Sequence, residues 1–208
     1  LRGDETAADL PPQPYLRMPH VEKGMAVGLF GGSFNPPHEA HRLIAETALK
    51  RLGLDRLWWM VTPGNPLKRR SEASLARRVE MSVALARHPR IDVTAFEHRH
   101  AVRYTADTIE IILARNPGVR FVWIMGADGL ADFHRWQRWR QIAETVPIAV
   151  LDRPGASMAA LNAPMARSYE RFRLDESDAK LLPSLRPPAW TFIHGPRSTQ
   201  SSTRLRGG

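Results

Sequence analysis

Val27-Gly28-Leu29-Phe30-Gly31-Gly32-Ser33-Phe34-Asn35-Pro36-Pro37-His38-Glu39-Ala40-His41 is the stretch whose reading decides the fold. Residues 27–30 are a short apolar run, the pattern of a buried strand. Gly31 and Gly32 follow at once; glycine reaches backbone conformations closed to other residues and lets a ligand approach the main chain. Asn35-Pro36-Pro37 is a turn signal, and proline suits the first turn of a helix. From His38 onward Ala40, Leu43, Ile44, Ala45, Ala48 and Leu49 favour helix. Strand, glycine turn and helix in that order predict a parallel α/β sheet, which binds ligands at the carboxyl ends of its strands.

A helix that starts there offers unpaired N–H groups and a favourable dipole to an anion. His38 and His41 are three residues apart, so on a helix they share a face, where two imidazoles can donate hydrogen bonds to phosphate oxygens. Two other readings stay open. A metal site would need a third ligand that this spacing does not supply. A plain turn with two surface histidines is the other, and the adjoining glycine pair and apolar strand count against it.

Composition sets the bounds. At 208 residues the chain can form one domain with a sizeable core. It has no cysteine, which removes disulfides and thiolate metal sites, and no apolar run long enough to span a bilayer. With no signal-peptide core at the start, a cytoplasmic location is the expectation. Net charge is +9, from 30 Lys and Arg against 21 Asp and Glu. The arginines are dispersed and do not alternate with aromatics as in RNA-binding surfaces, so anionic small substrates are the preferred partners over specific nucleic acid.

Further along, residues 1–24 carry Pro11, Pro12, Pro14 and Pro19 with no period, and read as a poorly ordered or loosely docked extension. Met18 or Met25 would each serve as a start. The domain proper is 25–208. Strands are expected at 57–61, 91–95, 119–125, 148–151 and 190–193. Helices are expected at 71–86, where Leu75, Val79, Val83 and Ala86 share a face, at 105–113 with Thr105 as a candidate cap, and at 137–144. Residues 157–172 have weak helical character, and 201–206 would open a last helix. Strands alternate with helices, so the fold class is α/β, a Rossmann-like domain with a mainly parallel sheet flanked by helices.

The quoted stretch resembles the Gly-Gly-[Ser/Thr]-Phe-[Asp/Asn]-Pro-x-His-x-Gly-His signature of the nucleotidyltransferase superfamily. From about residue 25 to 206 the chain is similar to the bacterial nicotinate-nucleotide adenylyltransferases. The resemblance implies that Gly31, Gly32, Ser33 and Phe34, with His38 and His41, bind ATP. Gln200-Ser201-Ser202-Thr203-Arg204-Leu205-Arg206 looks like the family's Ile-Ser-Ser-Thr-x-[Ile/Leu/Val]-Arg motif, which implies that Ser201, Ser202, Thr203 and Arg206 hold the ATP phosphates. Lys68, in the loop 62–68, resembles the family's basic residue directed at the triphosphate. Arg103-Tyr104-Thr105 looks like Ser-Tyr-Thr, Gly126-Ala127-Asp128 like Gly-x-Asp, and Arg153-Pro154-Gly155 like Arg-Pro-Gly. These matches, with the segment around Trp136, assign Thr105, Asp128, Trp136 and Arg153 to the mononucleotide. From the residues alone, Asp128 reads equally well as a helix cap, and Trp136 and Trp139 as core.

Ala40 stands where the family has glycine, Asn35 where aspartate is commoner, Arg103 for serine and Gln200 for an aliphatic residue. A methyl at Ala40 has room to crowd the adenine or weaken ATP binding, but alanine is small and suits a helix better than glycine, so activity is expected to survive.

The reaction so implied is transfer of the adenylyl group of ATP to nicotinate mononucleotide. Mg²⁺ would bridge the ATP oxygens without protein metal ligands. His38, His41, Lys68 and Arg206 would neutralise the phosphates. Two alternatives remain: a related adenylyltransferase acting on nicotinamide mononucleotide or pantetheine phosphate, and a non-enzymatic basic nucleic-acid-binding protein. Whether the chain is a monomer or a homo-oligomer is not readable.

Overall fold

The computed structural model describes residues 9–63, 73–152 and 160–194. β1 (Ala26–Gly32), β2 (Arg56–Val61), β3 (Ile91–Thr94), β4 (Arg120–Gly126), β5 (Ile148–Leu151), β6 (Arg173–Leu174) and β7 (Trp190–Ile193) form one sheet in the order β3-β2-β1-β4-β5-β7-β6. Every adjacent pair is parallel. The mainly parallel sheet read from the sequence is therefore parallel throughout the described residues.

A parallel sheet covered on both faces explains why its strands read as continuous apolar runs. Successive side chains go to opposite faces. In β2, Leu57, Trp59 and Val61 enter the core layer that contains Ile44 and Leu49 of α1 (Glu39–Arg51) and Val79 of α2 (Leu75–Leu85). Trp58 and Met60 enter the other layer. That layer holds Phe96 of α3 (Phe96–Arg99), Ile109 of α4 (Thr105–Arg115), Leu130 of α5 (Ala127–Asp132), Ile142 of α6 (Trp139–Thr145) and Met165 of α7 (Pro164–Ser168).

The chain leaves β1 toward β2 and β3, then returns to place β4 on the other side of β1. The strand order therefore reverses between β1 and β4, and at such a switch point the connections diverge and leave a crevice above the strand ends. The residues beyond the carboxyl ends of these two strands are Ser33 and Ala127.

Several expectations need revision. Residues 9–24 are not loosely docked. Leu16 is buried in the same layer as α1, Met18 and Val21 pack on the opposite layer, and the carbonyl of Tyr15 accepts from the Ala95 N–H at 2.7 Å. Thr94 Oγ1 also donates to the Arg17 carbonyl at 2.8 Å, so this segment closes the β3 side of the domain. Residues 1–8 lie outside the described part.

The apolar face expected of the second helix is also shifted. Val83 is 37% exposed, whereas Arg78 and Ser82 are buried beside Leu75 and Val79. Of the weakly helical stretch 157–172, the described part contains α7 and a 3₁₀ turn at Glu170–Phe172. The last expected helix, 201–206, lies outside the described residues.

Candidate functional site

The glycine pair works by space rather than by unusual dihedrals. Gly31 and Gly32 are the last residues of β1, and the positive φ falls at Phe34, at 46°. A Cβ on Gly31 would meet the Trp123 indole at 2.8 Å, and one on Gly32 would meet the Phe34 ring at 3.2 Å. Both rings occupy room that only glycine leaves. Phe34 packs edge-on to Phe30 and His41, with centroids 5.3 and 5.0 Å away, and lies 4.7 Å from Trp59. Its side chain is buried. What Phe34 can offer a ligand is therefore its backbone.

Pro36 and Pro37 precede α1 rather than sitting in its first turn, and His38 is the N-cap. His38 and His41 stack with ring centroids 3.8 Å apart and 20° between planes. The His38 backbone N–H donates to His41 Nδ1 at 3.2 Å. A ring nitrogen that accepts carries no proton, so this bond places the His41 proton on Nε2, as a donor. His38 is 4% exposed and His41 half-buried. The shared helix face predicted from their spacing thus becomes a stacked pair at the start of a 13-residue helix.

Beside this end of β1 opens a cavity of ≈ 690 Å³. Its lining includes Gly31, Gly32 and Ser33 on the strand side, and Trp123 and Trp136 as an aromatic wall. Those two indoles meet edge to face at 6.1 Å. Trp136 therefore presents ring surface to the cavity, while Trp139 packs on Phe133 and Tyr169. The opposite side is the start of α4, with Arg103, Tyr104 and Thr105. Thr105 is the first helical residue, not the cap: the cap is Tyr104, and it makes no side-chain capping bond. The first N–H groups of an 11-residue helix thus have no side-chain cap beside the cavity, a fit for a carboxylate or phosphate.

Two further residues here were not singled out from the sequence. Arg78, 2% exposed, donates to the carbonyls of Ser33 at 2.8 Å, Thr62 at 2.7 Å, Pro63 at 3.2 Å and Ala73 at 3.0 Å. One guanidinium fork therefore holds the loops that leave β1 and β2 to the start of α2. Glu97, 6% exposed, also lines the cavity, and its Oε1 accepts from Thr108 Oγ1 at 2.6 Å. Burial pushes the Glu97 carboxyl up to about 7, against the opposing pull of the Thr108 hydroxyl. On the other side of α4, Arg138 pairs with Asp107 and with Glu110 at 3.2 Å, which ties the segment after Trp136 to that helix.

Asp128 is exposed in the first turn of α5 and is not part of the cavity lining. Lys68, Arg153, Ser201, Ser202, Thr203 and Arg206 lie outside the described residues. Ala40 is buried in the first turn of α1. Among the described residues no group of three or more His, Asp or Glu side chains could hold a metal, and no helix is long and apolar enough to cross a membrane.

A histidine pair at a helix start, with an aromatic cavity alongside, sits at the switch-point crevice of a Rossmann-like sheet, where such sheets take their ligands. The chain belongs to the cytidylyltransferase-like family, whose model matches residues 29–208. It is also similar to proteins named "Probable nicotinate-nucleotide adenylyltransferase". That of Mesorhizobium japonicum is 64% identical over 190 residues, 91% of this chain and 97% of the relative. That of Rhizobium meliloti is 65% identical over 183 residues, 88% of this chain and 97% of the relative. In fold, the chain is like the Plasmodium falciparum nicotinic acid mononucleotide adenylyltransferase solved with NaAD. The TM-score is 0.63 at 17% identity, over 88% of this chain and 83% of that one.

Proposed function

We propose that the chain transfers the adenylyl group of ATP to nicotinate mononucleotide, forming nicotinate adenine dinucleotide and pyrophosphate. The observation that carries this reading is the continuity of Gly31–Ser33 with two different surroundings. On one side the loop leads to the stacked His38–His41 pair, and on the other it lines the cavity with Trp123, Trp136 and the start of α4. Charged phosphates and a flat anionic ring need these two environments side by side. The names of relatives above 60% identity support the same reaction.

A 5′-phosphate oxygen of the mononucleotide attacks the α-phosphorus of ATP in line. The bond from the α-phosphorus to the bridging oxygen breaks, and pyrophosphate leaves with that electron pair. The attacking oxygen is already ionised near neutral pH, so no protein nucleophile or strong base is needed. The protein's share is to position the reactants and stabilise charge. His41, with its proton held on Nε2, and His38 beside it donate to phosphate oxygens near the reacting phosphorus. Backbone N–H groups of Gly32, Ser33 and Phe34 add fixed dipoles.

Lys68 and Arg206 serve the β and γ phosphates, Ser201, Ser202 and Thr203 the triphosphate, and Asp128 and Arg153 the mononucleotide; these roles follow the motif matches. Mg²⁺ arriving with ATP would supply neutralisation of the phosphate charge. The described residues fit an ion carried by the nucleotide better than one held in a protein cage, because their donor set lacks a carboxylate cluster. The pyridine ring lies against Trp136, and its carboxylate meets the N–H groups at the start of α4. An amide there would forfeit the charge-assisted bonds. We place the reaction in the cytoplasm.

The test is the fate of labelled ATP with each acceptor. Label at the α-phosphorus should enter a dinucleotide and label at the γ-phosphorus should leave as pyrophosphate, with nicotinate mononucleotide far ahead of nicotinamide mononucleotide and pantetheine phosphate. Faster turnover of either other acceptor overturns the substrate assignment. Salt-sensitive RNA binding with no turnover of any acceptor overturns the reaction.

A further inference from the structure

Glu97 is a buried carboxyl group in the base cavity for which the transfer chemistry has no use. It lines the same space as Trp123, Trp136 and Thr105 and is 6% exposed. Its Oε1 is held by Thr108 in the first turn of α4. The cavity therefore places a protein carboxyl beside the helix start that is suited to the substrate's carboxylate.

Two carboxylates in one low-dielectric site cannot comfortably both be ionised. One of the pair must be neutral for the other to bind as an anion. We infer that Glu97 is a specificity-determining residue of the base cavity: as a neutral acid it admits and hydrogen-bonds an anionic pyridine carboxylate, and as a carboxylate it repels that anion and accepts from an amide instead. This inference rests on the proposed reaction.

The surroundings of Glu97 are consistent with a group that changes charge near neutrality. Burial favours its neutral form. Around the cavity, Arg103, Tyr104 and Arg135 are the other charged or titratable side chains. The 3₁₀ turn Gln13–Leu16, packed on α3, brings Tyr15, and α4, joined to α3 by the Thr108–Glu97 hydrogen bond, carries Asp107, Glu110 and Arg115. Asp107 and Glu110 are engaged by Arg138, and Arg115 Nη1 lies 3.3 Å from His100 Nε2. On α3 itself His98 and Arg99 follow Glu97.

The experiment measures kcat/KM for nicotinate mononucleotide and nicotinamide mononucleotide from pH 5.5 to 8.5, in the wild type and in Glu97→Gln. Both acceptors carry the same 5′-phosphate, so its ionisation cancels in the ratio. In the wild type the acid-to-amide ratio should fall by about tenfold or more between pH 6.5 and 8.5, since the neutral fraction of a titrating acid drops tenfold per pH unit above its pKa. Glutamine keeps an acceptor for Thr108 and is always neutral, so the Glu97→Gln ratio should stay in favour of the acid and flat with pH.

A flat ratio in the wild type overturns the inference without reference to any variant. The same slope in Glu97→Gln as in the wild type also overturns it, because another group would then titrate. Absence of turnover with both acceptors at every pH overturns the reaction on which the inference rests, and the inference with it.

Discussion

The imidazoles of His38 and His41 lie 3.8 Å apart, centroid to centroid, with their planes within 20° of parallel. Spacing alone would bring them onto one face of α1. The hydrogen bond from the His38 N–H to His41 Nδ1 goes further and fixes which nitrogen of His41 carries the proton. Groups packed this closely act as a unit, and their mutational effects do not add. Loss of a preorganised donor to a transition-state oxygen costs about 10²–10³ in kcat. Each of His38→Ala and His41→Ala should fall in that range, and the double variant should be little worse than the poorer single one. Additive losses in steady-state kcat would show two independent roles.

Trp136 should matter for the acceptor and not for ATP. Its ring meets Trp123 edge to face and borders the cavity. Stacking of a heteroaromatic base on an aromatic side chain is worth about 1–3 kcal/mol. Trp136→Ala should therefore raise KM for nicotinate mononucleotide by about fivefold to 150-fold and leave KM for ATP within about twofold. Equal rises in both would mean that the residue supports the fold instead.

Arg78 is predicted to be a stability residue. Its removal would leave the carbonyls of Ser33, Thr62 and Pro63 without the donor that now holds them. Unsatisfied buried polar groups cost about 1–3 kcal/mol each, partly relieved by relaxation. Arg78→Met should lower Tm by roughly 6–12 °C, the range for about 3 kcal/mol in a domain of this size. Arg78→Lys should recover only part of this, because an ammonium cannot reproduce the fork. Calorimetry of the two variants decides it.

Glu97 also predicts how stability changes with pH. Its carboxyl is raised to about 7 in the folded chain from 4.5. The folded state therefore binds the proton more tightly, and this contribution is complete below about pH 4.5 and is lost as pH rises through 7. The loss is on the order of 3 kcal/mol. Glu39 is held below the usual carboxylate range by its hydrogen bond with Arg42, and Glu176 by the His194 backbone N–H. Their contributions have the opposite sign and fade only as pH falls below the unperturbed carboxylate range. Between pH 5 and 8 the denaturation free energy of the wild type should drop, and in Glu97→Gln that drop should largely vanish. A mutant with the wild-type slope would contradict the assignment.

How legible these features were depended on how local their causes are. β1, β2, β4, β5 and β7 could be read because a strand covered on both faces is a run of apolar residues. The paired histidines could be read because helical spacing is a local rule. The role of Glu97 could not: its partner Thr108 is eleven positions away, and only the packing of a four-residue helix buries it. Arg78 was hidden for a related reason. An apolar stripe over Leu75, Val79 and Val83 is the natural reading of α2, but carbonyls from two distant loops draw the arginine inward and leave Val83 outside. Trp123 looked like one more strand residue, and its place in the cavity depends on the space left by Gly31 on the neighbouring strand.

The most direct test of the whole account is pyrophosphate release with ATP and Mg²⁺ at pH 6.5, with nicotinate or nicotinamide mononucleotide as acceptor, in the wild type and in His41→Ala. The account predicts rapid release with the acid acceptor, much slower release with the amide, and a loss of about 10²–10³ in the variant. Release that is as fast with the amide, or that survives unchanged without the His41 imidazole, would contradict it.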